Sequence, residues 1–105
     1  MSELEETLAW LLQAQGIPFT RQYRAIQGRR WRWDFAWPEA RLLGEVQGGI
    51  WKPHTGHTSG TGLTRDYEKH NAATLAGWRV LYVTGKMIAD GSALRMILEA
   101  GAGGN

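Results

Sequence analysis

The feature that most limits the fold of this 105-residue chain is a short segment in which aromatic and non-aromatic residues alternate strictly. Residues 30–37 (RWRWDFAW) place a large aromatic side chain at every second position, namely Trp31, Trp33, Phe35 and Trp37. Because successive side chains of a β-strand point to opposite faces, this pattern predicts a strand with one aromatic face. Such a face needs a covering layer, so we expect a sheet packed against helices.

The segments around this strand predict a mixed α/β domain. Leucines at helical spacing predict a first helix over residues 3–15, with Ser2 and Gly16 as its caps. The other predicted elements are strands over 20–26, 30–37, 41–47 and 78–84 and helices over 63–76 and 92–100. The order is helix, three strands, helix, strand, helix. We expect one domain over residues 1–100 and a flexible tail over 101–105.

The same periodicity predicts which side chains are buried. In the second helix the expected inward positions are Leu63, Tyr67, Asn71, Thr74 and Leu75. In the last helix they are Leu94, Ile97 and Leu98. The isolated tryptophans Trp10 and Trp78 are also expected in the core.

Composition excludes several classes of protein. The chain has no cysteine, which excludes disulfides, thiolate zinc sites and cysteine nucleophiles. No apolar run is long enough to span a bilayer, and the acidic N-terminus lacks the layout of a signal peptide. We therefore expect a cytoplasmic protein of a bacterial cell, encoded by the bacterium or by a phage, with no membrane partner.

The net charge of +2 conceals a segregation of charges. Residues 21–32 hold five arginines and no acid, with Tyr23 and Trp31 among them. These arginines are Arg21, Arg24, Arg29, Arg30 and Arg32. A basic run with interleaved aromatics predicts a nucleic-acid surface, and a solvated strand face is the alternative.

Two carboxylates are predicted to meet on the sheet. The connection between the second and third strands is short, and a four-residue loop would place Trp37 opposite Leu42 and Asp34 opposite Glu45. Gln47 shares the face of Glu45. Opposed like charges are destabilising unless a cation lies between them, and oxygen ligands of this kind suit Mg²⁺ or Mn²⁺. The carbonyl of Val46 is a further candidate ligand.

Residues 30–85 resemble the PD-(D/E)XK nuclease superfamily. The similarity is greatest to small phage and bacterial endonucleases related to the very-short-patch-repair (Vsr-like) enzymes. It rests on the strand pair WDFAWPEARL, the turn EVQGG and the strand GWRVL, and the segment SELEETLAWLLQAQGI is similar to the opening helix of that family. The resemblance implies a restriction-endonuclease-like core (α-β-β-β-α-β plus a C-terminal helix) and a Mg²⁺-dependent endodeoxyribonuclease, in which Mn²⁺ would substitute.

The resemblance also implies roles for single residues. Asp34 and Glu45 would be metal ligands, and Gln47 stands where the superfamily commonly has lysine. Lys69 is a candidate for the displaced basic group, and the alternative is a solvated helix residue paired with nearby acids. Glu5 matches the acid that the first helix of the family supplies, and its alternative is a capping box with Ser2.

A long loop, residues 48–62, is rich in Gly, Thr and His. His57 would assist phosphate or water chemistry, as a histidine in Vsr-like nucleases does, or it has no role. Trp51 would stack on an unpaired base or anchor the loop to the core. Lys52 would contact phosphate. His54 and His57 form a weak metal motif, and His70 is expected to be structural.

These observations favour a metal-dependent DNA endonuclease. Nothing in the chain resembles a separate sequence-reading module, so we expect it to recognise DNA structure, such as a nick or a branched (Holliday) junction. Junction cleavage needs two active sites and therefore a homodimer. Two alternatives remain at this point. One is a non-catalytic nucleic-acid binder, and the other is an accessory nuclease subunit active only with a phage packaging or repair partner.

Overall fold

The aromatic segment forms the second strand of a mixed sheet. A computed structural model describes residues 2–48 and 60–103, with the backbone alone for residues 60–63. The strands are β1 (Thr20–Tyr23), β2 (Trp33–Trp37), β3 (Leu42–Gln47) and β4 (Arg79–Thr84). The helices are α1 (Glu3–Ala14), α2 (Gly60–Leu75), α3 (Gly85–Asp90) and α4 (Ser92–Glu99), and Pro38–Ala40 is a 3₁₀ turn. The predicted order of elements is confirmed, with α3 as an addition.

The described strands lie in the order β1-β2-β3-β4. The first three are antiparallel, and β4 runs parallel to β3 after the crossover through α2. In the β2–β3 hairpin Trp37 pairs with Leu42 and Phe35 pairs with Gly44. The register predicted from the short connection is therefore confirmed.

Helix α1 begins where the sequence predicts its cap. The Ser2 hydroxyl accepts a hydrogen bond from the amide of Glu5 at 3.1 Å, which satisfies one of the free donors of the first turn. Gly16 follows the helix with a φ of 70°, a conformation that glycine adopts without strain. These two ends fix which leucines of α1 face the sheet.

The sheet separates two apolar cores. The larger core joins β2, β3 and β4 to α1, α3 and α4, and Leu8, Leu12, Phe35 and Ile97 are among its buried members. The smaller core lies on the opposite face, and its buried members are Trp33, Ala36, Leu43, Ala73 and Trp78. The domain is therefore a sheet between two helical layers.

The single aromatic stripe predicted for residues 30–37 is wrong. Phe35 and Trp37 lie in the larger core, whereas Trp33 lies in the smaller one. Regular alternation therefore stops between Trp33 and Phe35. In β1, Gln22 lies across from this step and has a φ of 51°, so the distortion involves both strands.

Helix α2 is rotated relative to the prediction. Tyr67 is 63% exposed and Leu75 is 88% exposed, and Asn71 and Thr74 are also exposed. The side chain of Leu63 lies outside the described part. Ala73 is the fully buried residue of the described helix face. The face of α2 toward the sheet carries Ala73, which packs in the smaller core, and Lys69, whose ammonium bonds Glu45.

Burial at the other predicted positions is mixed. Trp78 is buried as expected, whereas Trp10 is 65% exposed. In α4, Ile97 is fully buried and Leu98 is largely exposed. Ala102 packs in the larger core, so the packed chain extends past the predicted boundary at residue 100. Residues 104 and 105 lie outside the described part.

None of the helices in residues 2–48 and 60–103 has the length and apolar character that crossing a membrane requires.

Gly44 tests the packing of the hairpin. A Cβ at this position would lie 3.0 Å from Cζ3 and 3.2 Å from Cη2 of Trp37, whose ring is buried and cannot move freely. We expect Gly44→Ala to lower the free energy of unfolding by about 1–3 kcal/mol, as for other overpacked cores. Urea unfolding measures the change.

Gly48→Ala is the matched control. Its added Cβ would meet Leu4 Cδ1 at an ordinary 3.5 Å, so stability should change little. Equal stabilities of the two variants would show that the hairpin tolerates a larger residue at Gly44.

Candidate active site

Two carboxylates on neighbouring strands bind each other's backbone. The amide of Asp34 donates to Glu45 Oε1 at 3.1 Å, and the amide of Val46 donates to Asp34 Oδ2 at 2.8 Å. These bonds follow the last ladder pair, Phe35 with Gly44, toward the open end of the hairpin. The structure therefore brings Asp34 and Glu45 together as the predicted register requires.

The surroundings of the Glu45 carboxylate shift its pKa. Burial raises its pKa, and the charge of Asp34 raises it further, whereas the hydrogen bond and charge of Lys69 lower it. The net direction is upward because desolvation disfavours the charged form. A cation near this carboxylate is therefore favoured.

Lys69 supplies the cation within the chain. Its ammonium lies 2.9 Å from Glu45 Oε2 and donates to the Arg32 carbonyl at 2.6 Å. It also lies 4.7 Å from the centroid of the Trp33 ring. The side chains of Lys69 and Glu45 are 19% and 18% exposed, so Lys69 is not the solvated helix residue of the alternative reading. The acid with which it pairs belongs to the candidate site.

A cavity of about 530 Å³ opens beside this ion pair. Its lining residues come from β2, β3, β4 and α2, and they are Trp33, Glu45, Gln47, Asp66, Tyr67, Lys69, His70 and Tyr82. Gln47 lies in the same cavity as Glu45, which agrees with their predicted position on one face of the strand. The volume is within the ordinary range for small-ligand pockets.

Sequence reasoning did not assign five of the lining residues to the site, and these are Trp33, Asp66, Tyr67, His70 and Tyr82. A signal for part of this set was present, since Asp66, Lys69 and His70 are spaced i, i+3 and i+4 and so share one helix face. Apolar periodicity, which predicts the buried face of a helix, does not detect such a polar stripe. Tyr82 pairs with Glu45 in the parallel register of β3 and β4. This pairing joins distant parts of the chain, so it becomes evident only from the fold.

His70 and Tyr82 form a linked pair within the cavity. The Tyr82 hydroxyl and His70 Nδ1 share a hydrogen bond of 3.0 Å, and their rings stack with centroids 5.8 Å apart. Burial raises the pKa of Tyr82, and the charges of Glu45 and Asp66 raise it further. The phenol therefore keeps its proton, and the pair presents an ordered aromatic wall.

Glu5 and Arg21 contact each other near the same end of the sheet. Arg21 lies 2.9 Å from Glu6 Oε2 and 3.6 Å from Glu5 Oε1, and Gln22 donates to Glu5 at 3.4 Å. Glu5 thus faces β1, and its amide is the one that Ser2 caps. The charge of Arg21 is directed at the acids of α1.

The remaining predicted arginines lie in the segment between β1 and β2. Arg24, Arg29, Arg30 and Arg32 are exposed. The Arg29 guanidinium lies 3.7 Å from the centroid of the Trp31 ring, and Arg24 donates to the Arg29 carbonyl at 3.4 Å. The Arg32 carbonyl accepts from Lys69, so this basic segment borders the cavity.

Three predicted site residues, Trp51, Lys52 and His57, lie outside the described residues, as does His54. Among the described residues, no group of three His, Cys, Asp or Glu side chains is arranged to enclose a metal. The candidate donors are therefore two carboxylates, from Asp34 and Glu45, and the backbone at Val46. Carboxylate and carbonyl oxygens are the ligands that a divalent cation such as Mg²⁺ prefers, so the chemistry of these groups fits such a cation.

Comparison with known proteins gives a structural match. The fold is similar to a solved structure, the catalytic domain of homing endonuclease I-Bth0305I, with a TM-score of 0.67 and 17% sequence identity. The match covers 94% of this chain and 92% of that chain. No family model and no curated protein matches the chain. The predicted fold class, a mixed sheet flanked by helices, is confirmed.

The ion pair predicts a change in the titration of Glu45. Lys69→Met removes the group that lowers the pKa of Glu45, so this pKa should rise further. Because the folded-state pKa is then higher, unfolding free energy should fall as pH rises from the ordinary glutamate pKa to that value. Carboxyl NMR titration measures the first effect, and urea unfolding at several pH values measures the second.

Lys86→Met is the control, because Lys86 is 88% exposed and lies 3.9 Å from Asp90. It should leave the titration of Glu45 unchanged. An unchanged Glu45 titration in Lys69→Met would show that the ion pair does not form in solution.

Proposed function

We propose that the protein is a metal-dependent DNA endonuclease of the PD-(D/E)XK type that hydrolyses a phosphodiester bond. The observation that carries the proposal is the convergence of Asp34, Glu45 and Lys69 at one end of the sheet, through bonds of 2.8–3.1 Å. The similarity of the fold to a homing endonuclease catalytic domain supports it. So does the resemblance of the WDFAWPEARL and EVQGG segments to Vsr-like nucleases.

The carboxylates of Asp34 and Glu45, with the carbonyl of Val46, would hold the metal. Mg²⁺, or Mn²⁺ in its place, supplies polarisation of the phosphate and a lower pKa for bound water when it is present. The hydrogen bonds from Val46 to Asp34 and from Asp34 to Glu45 fix both carboxylates before DNA binds. Because both carboxylates are already held in place, binding of the DNA and metal would require little movement of these side chains.

Lys69 would provide the positive charge that Gln47 lacks. Its ammonium lies against Glu45 on the cavity side, from where it can donate to a phosphate oxygen or to the attacking water. Gln47 lines the same cavity, and its amide can orient water without adding charge. Glu5 and His57 remain candidates for assisting roles.

The basic segment would hold the DNA backbone. Arg24, Arg29, Arg30 and Arg32 are exposed, and the Arg32 carbonyl accepts from Lys69 of the cavity. Phosphate contacts from such residues carry no sequence information. This arrangement favours an enzyme that recognises DNA structure, such as a nick or a junction. Cleavage of a junction would need a homodimer or a protein partner, in a phage or repair setting within a bacterial cell.

The proposal predicts that cleavage depends on the carboxylates and on Lys69. With branched, nicked or plasmid DNA and Mg²⁺ or Mn²⁺, we expect Asp34→Asn and Glu45→Gln to lose more than about 100-fold in rate, because each removes the charge of a proposed metal ligand. Lys69→Met should lose about 100-fold, as for other charge-stabilising donors. Gel assays of single-turnover cleavage measure these rates.

Glu39→Gln is the control, since Glu39 is an exposed acid of the 3₁₀ turn. Equal cleavage by wild type and Asp34→Asn would contradict the enzyme proposal. DNA binding without cleavage would instead support a non-catalytic binder, and cleavage only after addition of a partner would support an accessory subunit.

The basic segment predicts salt-dependent binding. Arg29→Ala and Arg30→Ala should each weaken DNA binding and lower the slope of log affinity against log salt by about 1 per lost phosphate contact. Arg95→Ala, an exposed residue of α4, should change neither quantity. Unaltered slopes in the first two variants would mean that the DNA lies elsewhere.

A further inference from the structure

The cavity beside the carboxylates is lined by both charged and aromatic groups. Its charged groups are the carboxylates of Glu45 and Asp66 and the ammonium of Lys69, and Lys69 is bonded to Glu45 and to the Arg32 carbonyl. Under the proposed function the Glu45–Lys69 end of the cavity serves the metal and the scissile phosphate, which leaves the aromatic part for another part of the nucleotide.

Much of the rest of the lining is aromatic, and two of its rings are exposed although Trp33 is buried. Tyr67 is 63% exposed and Tyr82 is 45% exposed, although both are large rings within one pocket. The rings of His70 and Tyr82 stack, and the two side chains share a hydrogen bond of 3.0 Å. Exposed rings that line a concave site are a surface on which flat ring systems stack.

Polar groups accompany the rings. The amide of Gln47 offers donors and an acceptor, and the carboxylate of Asp66 offers acceptors. Amide and carboxylate groups of this kind bond the edges of nucleobases. The volume of about 530 Å³ leaves room for one base next to the ion pair.

We propose that this cavity receives one unpaired nucleobase of the DNA, from a nucleotide next to the scissile phosphate. The inference rests on the proposed endonuclease function and names its substrate class, DNA with an unpaired nucleotide at the cut. The sugar-phosphate backbone follows the exposed arginines outside the cavity, and the base stacks on Tyr67 and Tyr82 inside it. Base-edge bonds go to Gln47 and Asp66.

A base inside a duplex does not reach such a pocket without leaving the stack, which costs unpairing energy. An unpaired base at a bulge, a mismatch or a junction enters at lower cost. The pocket would thus favour substrates by their structure, because it admits a base that is already unpaired. Because stacking accepts any base, little sequence preference is expected.

The test compares three DNA duplexes of one sequence in EDTA, which leaves the DNA intact. One is fully paired, one carries a single unpaired thymidine, and one carries an abasic sugar in place of that thymidine. Fluorescence anisotropy measures affinity. We expect the unpaired thymidine to bind roughly tenfold more tightly than the abasic sugar, as for other base–aromatic stacks.

Three variants assign the effect to the cavity. Tyr67→Ala should remove most of the preference for thymidine, and Tyr67→Phe should retain it because the ring is kept. Leu75→Ala, an 88% exposed residue of the same helix outside the cavity, should retain it fully. Tyr67 is exposed, so its replacement should not unfold the domain.

The outcomes separate the two proposals. Equal affinity for the thymidine and abasic duplexes, or for the thymidine and paired duplexes, overturns the base pocket and leaves the endonuclease proposal standing. A thymidine preference that persists in Tyr67→Ala places the base elsewhere and also overturns it. Failure to bind any of the duplexes in EDTA would overturn the base pocket, whereas the endonuclease proposal is decided by the cleavage assays with Mg²⁺ or Mn²⁺.

Discussion

The structure depends on the reciprocal hydrogen bonds between Asp34 and the Glu45–Val46 segment. Each carboxylate accepts a backbone amide from the opposite strand, so the hairpin stays joined beyond its last ladder pair. The same bonds hold two negative charges close together, which is unfavourable without a cation. Burial raises the pKa of Glu45 most and the charge of Asp34 raises it further, whereas the hydrogen bond and charge of Lys69 lower it.

The orientation of α2 follows from that requirement. To reach Glu45 and the Arg32 carbonyl, Lys69 points at the sheet, and its helical neighbour His70 bonds the Tyr82 hydroxyl of β4. Tyr67 and Leu75 are then left exposed. The contact of Lys69 with Glu45 thus accompanies an orientation of α2 that differs from the one predicted by hydrophobic periodicity.

The sequence was sufficient where local rules act alone. The Ser2 cap, the order of elements and the pairing of Trp37 with Leu42 follow from local patterns and from a short connection. The sequence was insufficient where contacts between residues far apart in the chain determine the structure. Trp33 changes face beside the distorted Gln22, and α3 has only six residues, too few for a periodic pattern. The cavity walls at His70 and Tyr82 exist only once α2 lies on β4.

The arrangement of charge explains why a net charge of +2 is compatible with binding a polyanion. Arg21 is paired with the acids of α1, so the exposed positive charge of the basic segment is confined to Arg24, Arg29, Arg30 and Arg32. That segment borders a cavity whose own lining is acidic and aromatic. The small net charge is therefore the sum of neighbouring patches of opposite sign, and the ion pair of Lys69 with Glu45 lies where the two patches meet.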